Sequence, residues 1–227
     1  MNTSASFGQK PRRISIVVDN PSWVLPFAER LAGLIAAAGN EAKLCREHND
    51  VDIGEVAFYL GCVHVASPDI LARNKWNLVV HASDLPKGRG FSPLTWLVLD
   101  GRNTIPVCLL HAAEKVDSGP IVYRDEIQFE GHELIGEMRR VLGEKTIELC
   151  LRYLSGAAPQ EGAPQKGEPT HLRRRRPEDS RLDPHKSIAE QFNLLRTVDN
   201  DAYPAHFDLF GCRYILRISK ADRRNDA

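Results

Sequence analysis

Short apolar runs alternate with amphipathic stretches through the first two-thirds of the chain. The runs are four to eight residues long and are followed by turn residues or by polar stretches, which predicts buried β-strands. They lie at residues 14–18, 56–62, 76–80 and 107–112. Residues 41–47 and 121–129 are further strand candidates, and the second alternates apolar and polar positions as strands near a sheet edge do.

Between these runs, apolar residues recur at three- and four-residue steps. From Trp23 to Ala38 this spacing predicts an amphipathic helix that ends at Gly39. Shorter helices are predicted at 67–74 and 92–101, and a long one at 131–156. The order of elements predicts an α/β fold with a Rossmann-like, mostly parallel sheet and helices on both faces.

The composition changes after the long helix. Residues 156–170 are rich in Gly, Pro and Gln, which is typical of a linker. Beyond them, the pattern predicts a helix at 187–198 capped by Ser187 and a hairpin at 208–221 with its turn at Gly211. We therefore expect an N-terminal domain over 1–155, a linker over 156–170 and a small helix–hairpin extension over 171–227.

Charge and cysteine usage narrow the class of protein. Lysine plus arginine and aspartate plus glutamate both number 30, so bulk charge gives no indication of a nucleic-acid or membrane partner. The five cysteines are scattered, and four lie in apolar runs, which favours buried thiols. With no apolar signal core and no run of about 20 apolar residues, we expect a soluble cytoplasmic protein.

Two residues are candidates for chemistry. His81 lies at the C-terminal end of the 76–80 run, before a loop with Pro86, Gly88 and Gly90, and Asp117 lies in the loop after the 107–112 run. Ligands bind at the carboxyl ends of strands in open α/β sheets. If the two strands are neighbours, His81 and Asp117 can meet, and a carboxylate beside an imidazole fixes its tautomer and stabilises its cation.

The remaining histidines do not form a metal-ligand spacing with cysteine or carboxylate residues, so the sequence predicts no metal. The arginines at 173–176 could bind a polyanion, but their position beside PEDSR favours a solvated or internally paired segment.

Four stretches resemble the 10-formyltetrahydrofolate-dependent formyltransferases. HASDLPKGRG (81–90) resembles the family's His-x-Ser-Leu-Leu-Pro-x-x-x-Gly loop, and VDSGPIVY (116–123) resembles its Asp-x-Gly-x-Ile-Tyr segment. GCVHVASP (61–68) resembles the Gly-x-x-x-Ile-Leu-x-Pro stretch that lines the pterin pocket. The segment RRRRPEDSR and the helix after it, continued by DNDAYPAHF, resemble the part that follows the catalytic domain in the tRNA and sugar enzymes. All four stand in the family's order.

The resemblance implies the formyltransferase fold, formyl transfer from 10-formyltetrahydrofolate to an amine, and catalytic roles for His81 and Asp117. It also implies a folate pocket formed by Val63, His64, Val65 and Ala66, with an opposite wall from Ala112, Ala113 and Val116. The family's oxyanion-binding asparagine is Val79 here, and Asn77 lies two residues earlier on the same side of the strand. A non-catalytic binding protein therefore stays an alternative.

The acceptor implied by elimination is a nucleotide-linked amino sugar, UDP- or dTDP-bound, destined for surface glycans. About fifty residues follow PEDSR, fewer than the tRNA enzyme's C-terminal domain, and DNPSW replaces the phosphate loop of the glycinamide ribonucleotide enzymes. Those two acceptors remain alternatives. We expect no nucleic-acid or membrane partner, and a homodimer through the hairpin. The candidate residues for the nucleotide are Lys87, Arg89, Gly90, Arg174, Arg176, Tyr203 and Phe207.

Overall fold

The computed structural model describes residues 10–156 and 160–221. The strands of its main sheet are β1 (Arg13–Val17), β2 (Glu41–Cys45), β3 (Gly54–Tyr59), β4 (Asn74–His81), β6 (Thr104–His111) and β7 (Ile121–Gln128). Their order in the sheet is β2-β1-β3-β4-β6-β7, and the pairs β1–β2, β1–β3 and β3–β4 are parallel. The predicted α/β fold with a mostly parallel sheet is confirmed.

The helices and the small strands complete the architecture. A two-stranded pair joins β5 (Arg89–Gly90) to β8 (His171–Leu172), and β9 (Ala205–Leu209) forms a hairpin with β10 (Cys212–Leu216). The helices are α1 (Leu25–Ala37), α2 (Pro68–Leu71), α3 (Pro93–Leu99), α4 (Ile135–Leu154) and α5 (Phe192–Thr197). None of the helices in the two described ranges has the length and apolarity needed to cross a membrane.

The first helix and strand follow directly from the sequence pattern. Helix α1 buries Ala28, Leu31 and Ile35, which are spaced by three and four residues, and Gly39 follows it with φ of 82°. Strand β1 is buried from Ile14 to Val17 because it lies between β2 and β3 in the sheet.

The chain divides into two compact units, each formed by several segments of the sequence. Unit 1 contains the described residues within 1–81, 109–123 and 143–165, and unit 2 those within 82–108, 124–142 and 166–227. One core cluster of unit 1 consists of Val17, Cys45, Val51, Ala57, Tyr59, Ala66 and Ile70. Unit 2 has its own cluster of Leu182, Leu195, Val198 and Ala205.

Two local predictions differ from the structure. The helix expected at 187–198 begins only at Phe192, although Ser187 and Glu190 form the reciprocal bonds of a capping box around the turn that precedes it. The segment expected to be a linker is packed where it is described. Ala163 pairs with Ile121 of β7, and its amide donates to the Ile121 carbonyl at 2.8 Å. Residues 157–159 of that segment lie outside the described residues.

Candidate active site

The two predicted catalytic residues lie together in unit 1. His81 ends β4, and Asp117 lies in the loop between β6 and β7, where β4 and β6 are neighbouring strands. The His81 Nδ1 and Asp117 Oδ2 atoms are 3.5 Å apart, and the side chains are 7% and 9% exposed. At this distance the carboxylate can orient the imidazole and stabilise its cation.

The loop that carries Asp117 is held by a residue that sequence reasoning did not identify. Asp117 adopts a left-handed backbone conformation with φ of 51°. The Gln165 side chain donates its Nε2 hydrogens to the carbonyl oxygens of Asp117 and Gly119 at 2.7 and 2.9 Å. Gln165 thereby fixes the backbone on which the Asp117 carboxylate stands. Its position in a Gly/Pro-rich stretch gave no sign of this role.

Val79, which stands where the family motif carries an asparagine, has apolar surroundings. Val79 packs against the core cluster of unit 1 that contains Tyr59 and Ala66. The Asn77 amide nitrogen donates to the carbonyl oxygens of Leu71 and Asn74 at 2.8 and 3.3 Å, and its oxygen accepts from Tyr59 Oη at 3.2 Å. Because these bonds use both amide hydrogens, Asn77 is a structural residue and does not replace the oxyanion donor.

The predicted folate loop follows β3 and is anchored by Asp19. The Asp19 carboxylate accepts from the backbone amides of Val63 and His64 at 2.8 and 2.9 Å. These two N–H groups are therefore engaged already, which leaves the Val63 and His64 carbonyls and the loop beyond them for a ligand. Ala66 is buried in the core cluster, whereas Val65 is half exposed.

The predicted opposite wall lies at the end of β6. Ala112 donates its amide to the Asn77 carbonyl at 2.8 Å and packs on the same cluster as Ala66. Ala113 is half-buried, and Val116 is exposed. The same core cluster therefore includes Ala66 of one predicted wall, and both Ala112 of the other wall and Val79 pack against it.

A cluster of polar side chains lies beside the predicted folate loop. Asp19, His48, His64 and Val65 line an open cleft of about 480 Å³. Burial opposes ionisation of Asp19, but hydrogen bonds from Asn20 and from the amides of Val63 and His64 hold its pKa below the ordinary value. Burial and the nearby Asp19 charge raise the pKa of the Cys62 thiol to about 12.

The residues predicted to bind the nucleotide all lie in unit 2. Lys87 is exposed. Arg89 and Gly90 form β5, and Gly90 has a structural reason to be glycine: a Cβ there would lie 2.5 Å from the Leu172 carbonyl oxygen. The pairing of β5 with β8 brings the backbone after residue 170 alongside the loop that follows residue 82.

The other four nucleotide candidates do not form one cluster in unit 2. The Arg174 guanidinium stacks 4.6 Å from the Phe91 ring, and Arg176 is exposed. The Phe207 ring stacks on Tyr214 at 5.2 Å and packs on the separate cluster of α5, while Tyr203 is exposed.

The neighbouring arginines are internally paired, as expected. Arg173 forms an ion pair with Asp179, and Arg175 donates to the Thr197 and Asp179 carbonyls. The Arg173 side chain lowers the pKa of Asp179 to about 2.

Solved structures with this fold are known, although their sequences differ widely from this one. Methionyl-tRNA formyltransferase from Clostridium thermocellum aligns with a TM-score of 0.77 and 18% identity, over 93% of this chain and 95% of that chain. HypX from Aquifex aeolicus, solved with tetrahydrofolic acid, aligns with a TM-score of 0.77 and 17% identity, over 92% of this chain and 38% of the HypX chain.

A sugar N-formyltransferase from a Shewanella species aligns with a TM-score of 0.64 and 11% identity, over 93% of this chain and 99% of that chain. No protein-family model matches the sequence. The resemblance inferred from the four sequence stretches is confirmed at the level of the fold. The chain has the formyltransferase fold.

Proposed function

We propose that the protein transfers the formyl group of 10-formyltetrahydrofolate to the amine of a nucleotide-linked amino sugar. The observation that carries this proposal is the His81–Asp117 pair, 3.5 Å apart at the ends of neighbouring strands of this fold. A formyltransferase needs a group that accepts a proton from the attacking amine and returns one to the departing nitrogen. An imidazole whose cation is stabilised by a carboxylate can do both.

In the proposed reaction the amine nitrogen forms a bond to the formyl carbon, and the bond from that carbon to N10 of the folate breaks. The proton lost by the amine passes through His81 to N10, so that the products are a formamide and tetrahydrofolate. Asp117 faces Nδ1 of His81, which leaves proton transfer to Nε2. Gln165 holds the backbone of the Asp117 loop, which helps to keep the Asp117 carboxylate in this orientation toward His81.

The folate would lie against the loop of residues 63–66 and the wall of residues 112–116. Val65 and Val116 are 53% and 46% exposed, and a flat ring packed on them would remove apolar surface from water. The HypX neighbour was solved with tetrahydrofolic acid, which supports a folate as the formyl donor for this fold.

A sugar nucleotide is the acceptor we favour. The sugar N-formyltransferase from Shewanella is matched over 99% of its chain. In unit 2, the exposed Lys87 and Arg176 and the Arg174 side chain stacked on Phe91 supply positive charge for a diphosphate. Arg89, Gly90, Tyr203 and Phe207 remain candidates for contacts with the rest of the nucleotide. We propose that the product serves surface-glycan synthesis.

An aminoacyl-tRNA is the second candidate acceptor, because the methionyl-tRNA formyltransferase chain is matched over 95% of its length. The two acceptors differ in how salt affects them. Binding to tRNA releases counterions and weakens steeply as salt concentration rises, whereas binding to one diphosphate weakens only slightly.

The test is a formyl-transfer assay with 10-formyltetrahydrofolate, a panel of UDP- and dTDP-linked 3- and 4-amino sugars, and aminoacylated tRNA. Mass spectrometry detects the added formyl group. We expect turnover of one sugar, and a rate lower by about 10²–10⁴-fold in His81→Gln and in Asp117→Asn, as is usual when a proton-transfer group is lost.

His132→Gln is the matched control, because His132 is exposed and lies in unit 2. Its rate should equal that of the natural protein. Turnover that survives in His81→Gln would contradict the proposed site. Turnover of tRNA but of no sugar would contradict the proposed acceptor.

A further inference from the structure

The C-terminal ends of three neighbouring strands carry a cluster of side chains of the types that bind metal ions. Asp19 follows β1, His48 follows β2, and Cys62 and His64 follow β3. Because β2, β1 and β3 are adjacent and parallel, the loops after them meet at one edge of the sheet. The cluster could not be predicted from local sequence spacing, because Asp19 and His64 are 45 residues apart.

The ligand atoms converge on Asp19. Its Oδ2 atom lies 3.3 Å from His48 Nε2 and 3.0 Å from His64 Nδ1. One ligand atom from each of Asp19, His48 and Cys62 lies within 4.8 Å of the other two. Ligands about 2.0–2.1 Å from a tetrahedral zinc ion stand roughly 3.3 Å from each other, so the observed separations suit one shared ion.

The Asp19 carboxylate would hold such an ion in place of one hydrogen-bond contact with an imidazole. Oδ1 accepts from Asn20 and from the Val63 amide, and Oδ2 accepts from the His64 amide. Oδ2 also lies within hydrogen-bond distance of His64 Nδ1, at 3.0 Å. A carboxylate oxygen has about two acceptor sites, so an ion at the second site of Oδ2 would replace that contact, and His64 Nδ1 would become a ligand.

His48 is the side chain that this arrangement leaves unsatisfied. Its ring is 15% exposed, and Nε2 is buried without a hydrogen-bond partner among the described residues, although Asp19 Oδ2 is 3.3 Å away. That contact is too poorly aligned to be a hydrogen bond. The ring is held against Tyr59 in an edge-on contact 5.7 Å between centroids, so Nε2 stays directed at the cluster.

We propose that Asp19, His48, Cys62 and His64 bind a zinc ion. Carboxylate, imidazole and thiolate are the zinc ligands of proteins, and four protein ligands are typical of a structural rather than a catalytic site. Coordination requires Cys62 to lose its proton to the solvent. Two neutral imidazoles with one carboxylate and one thiolate then neutralise Zn²⁺, which suits a half-buried position.

The proposed ion would join the loops after β1, β2 and β3. The imidazole of His64 is 74% exposed and can turn toward the ion from the cleft, while Asp19 is almost fully buried and fixed by its other bonds. Arg46 and Glu47 also line the cleft, and their opposite charges offset each other. Zinc would therefore fix the 61–67 loop, whether or not that loop binds folate.

Titration of the chelator-treated full chain with Co²⁺ and Zn²⁺ tests the proposal. Co²⁺ reports geometry, since tetrahedral cobalt absorbs strongly in the visible range and a thiolate ligand adds a charge-transfer band in the near ultraviolet. We expect one metal ion per chain, a thiolate band, displacement of Co²⁺ by Zn²⁺, and a higher melting temperature with Zn²⁺ than without it.

The variants assign the ligands. Cys62→Ser should abolish the thiolate band, His48→Gln should weaken zinc binding at least tenfold, and Cys212→Ser, at an exposed cysteine of β10, should change neither. His64→Gln alters an exposed side chain and so keeps the fold, and it should weaken binding several-fold. A thiolate band that persists in Cys62→Ser, or zinc affinity unchanged in both His48→Gln and His64→Gln, would overturn the proposal, as would the absence of stoichiometric binding to the natural chain.

Discussion

At position 79, a valine stands where the formyltransferase motif carries the asparagine that binds the oxyanion. The side chain packs against the core cluster that contains Tyr59 and Ala66, and Asn77, the nearest asparagine in the sequence, has both amide hydrogens engaged. If the protein transfers formyl groups, the developing negative charge must be stabilised by another donor, from the backbone, from the substrate or from water.

Val79→Asn distinguishes an intact site from an impaired one. We expect no gain in the rate of formyl transfer, and a free energy of unfolding lower by roughly 1–3 kcal/mol, because the amide enters an apolar cluster. Rate measurements and urea unfolding check the two effects. A gain of about 10²–10³-fold would instead mean that the natural chain lacks an oxyanion donor, and would favour a binding protein with little catalysis.

Gln165 is predicted to position Asp117 rather than to touch substrate. Gln165→Glu keeps the shape of the side chain but removes both donated hydrogen bonds, so we expect kcat to fall at least tenfold with little change in KM. The free energy of unfolding should fall by roughly 1–3 kcal/mol. Measurement at a temperature where every variant is fully folded separates the two effects.

Gln128→Glu is the control for Gln165→Glu, because it makes the same change at an exposed side chain of unit 2, where the amide donates one bond, to the adjacent Phe129 carbonyl. We expect its stability to stay within about 0.5 kcal/mol of the natural chain. Equal losses of kcat in the two variants, or no loss in Gln165→Glu, would remove the positioning role.

Sequence reasoning located His81 and Asp117 but not the residues that hold them. His81 and Asp117 could be predicted because each follows an apolar run and lies in a stretch that resembles a formyltransferase motif. Gln165 and Asp19 act on backbone groups 48 and 44 residues away, and no local pattern marks such a partner. The same reason explains why the cluster around Asp19 went unpredicted.

At the scale of elements, periodicity predicted the strands and long helices well and the short polar helix less well. Strands β1, β4, β6 and β7 and helices α1 and α4 lie where apolar spacing placed them, with shifts of a few residues at their ends. The helix expected from Ser187 starts five residues later, at Phe192. Ser187 and Glu190 form a capping box, so the predicted cap is present, and the difference lies in where the regular helix begins after it.

Helix α4 contains two glycines that should respond to substitution in opposite ways. A Cβ at Gly143 would lie 2.5 Å from Phe27 Cδ1, whereas a Cβ at Gly136 would meet nothing within 4 Å. Gly143→Ala should therefore lower the free energy of unfolding by about 1–3 kcal/mol through overpacking. Gly136→Ala should raise it by up to about 1 kcal/mol through helix propensity.

Urea unfolding of the two alanine variants, with the natural chain beside them, measures both effects. A stabilised Gly143→Ala would mean that Phe27 moves aside at little cost, so that the close packing of α4 on Phe27 does not constrain this position.

At the scale of the whole molecule, each compact unit is built from several separate segments of the chain. The expected boundary near residue 155 followed from the Gly/Pro-rich stretch, yet residues 160–165 return to β7 and to the Asp117 loop within unit 1. Residues 82–108 and 124–142 belong to unit 2 although they lie inside the expected first domain. Contacts between segments that are distant in the sequence define the two units. The composition of a segment does not indicate which distant segment it contacts.

The hairpin of unit 2 is the part for which we predict a partner, and that partner is a second copy of this chain. Strand β10 pairs with β9 alone among the described strands, and all five of its residues are exposed. Ile215 is 57% exposed and Phe210 at the turn is 90% exposed. An unpaired strand edge with exposed apolar side chains invites pairing, and the same edge on two copies can pair about a twofold axis.

Sedimentation equilibrium of two variants, each with an aspartate in place of one exposed isoleucine, tests this prediction. We expect the natural chain to be a dimer at micromolar concentration and Ile215→Asp to be a monomer, because each copy would place a charge in the paired edge. Ile53→Asp should remain a dimer, since Ile53 is 74% exposed but lies before β3 in unit 1. A natural chain that sediments as a monomer, or an Ile215→Asp variant that stays dimeric, would show that β10 does not pair with a second copy. Because neither isoleucine belongs to the proposed active site, both variants should keep the formyl-transfer rate per chain, which separates assembly from catalysis.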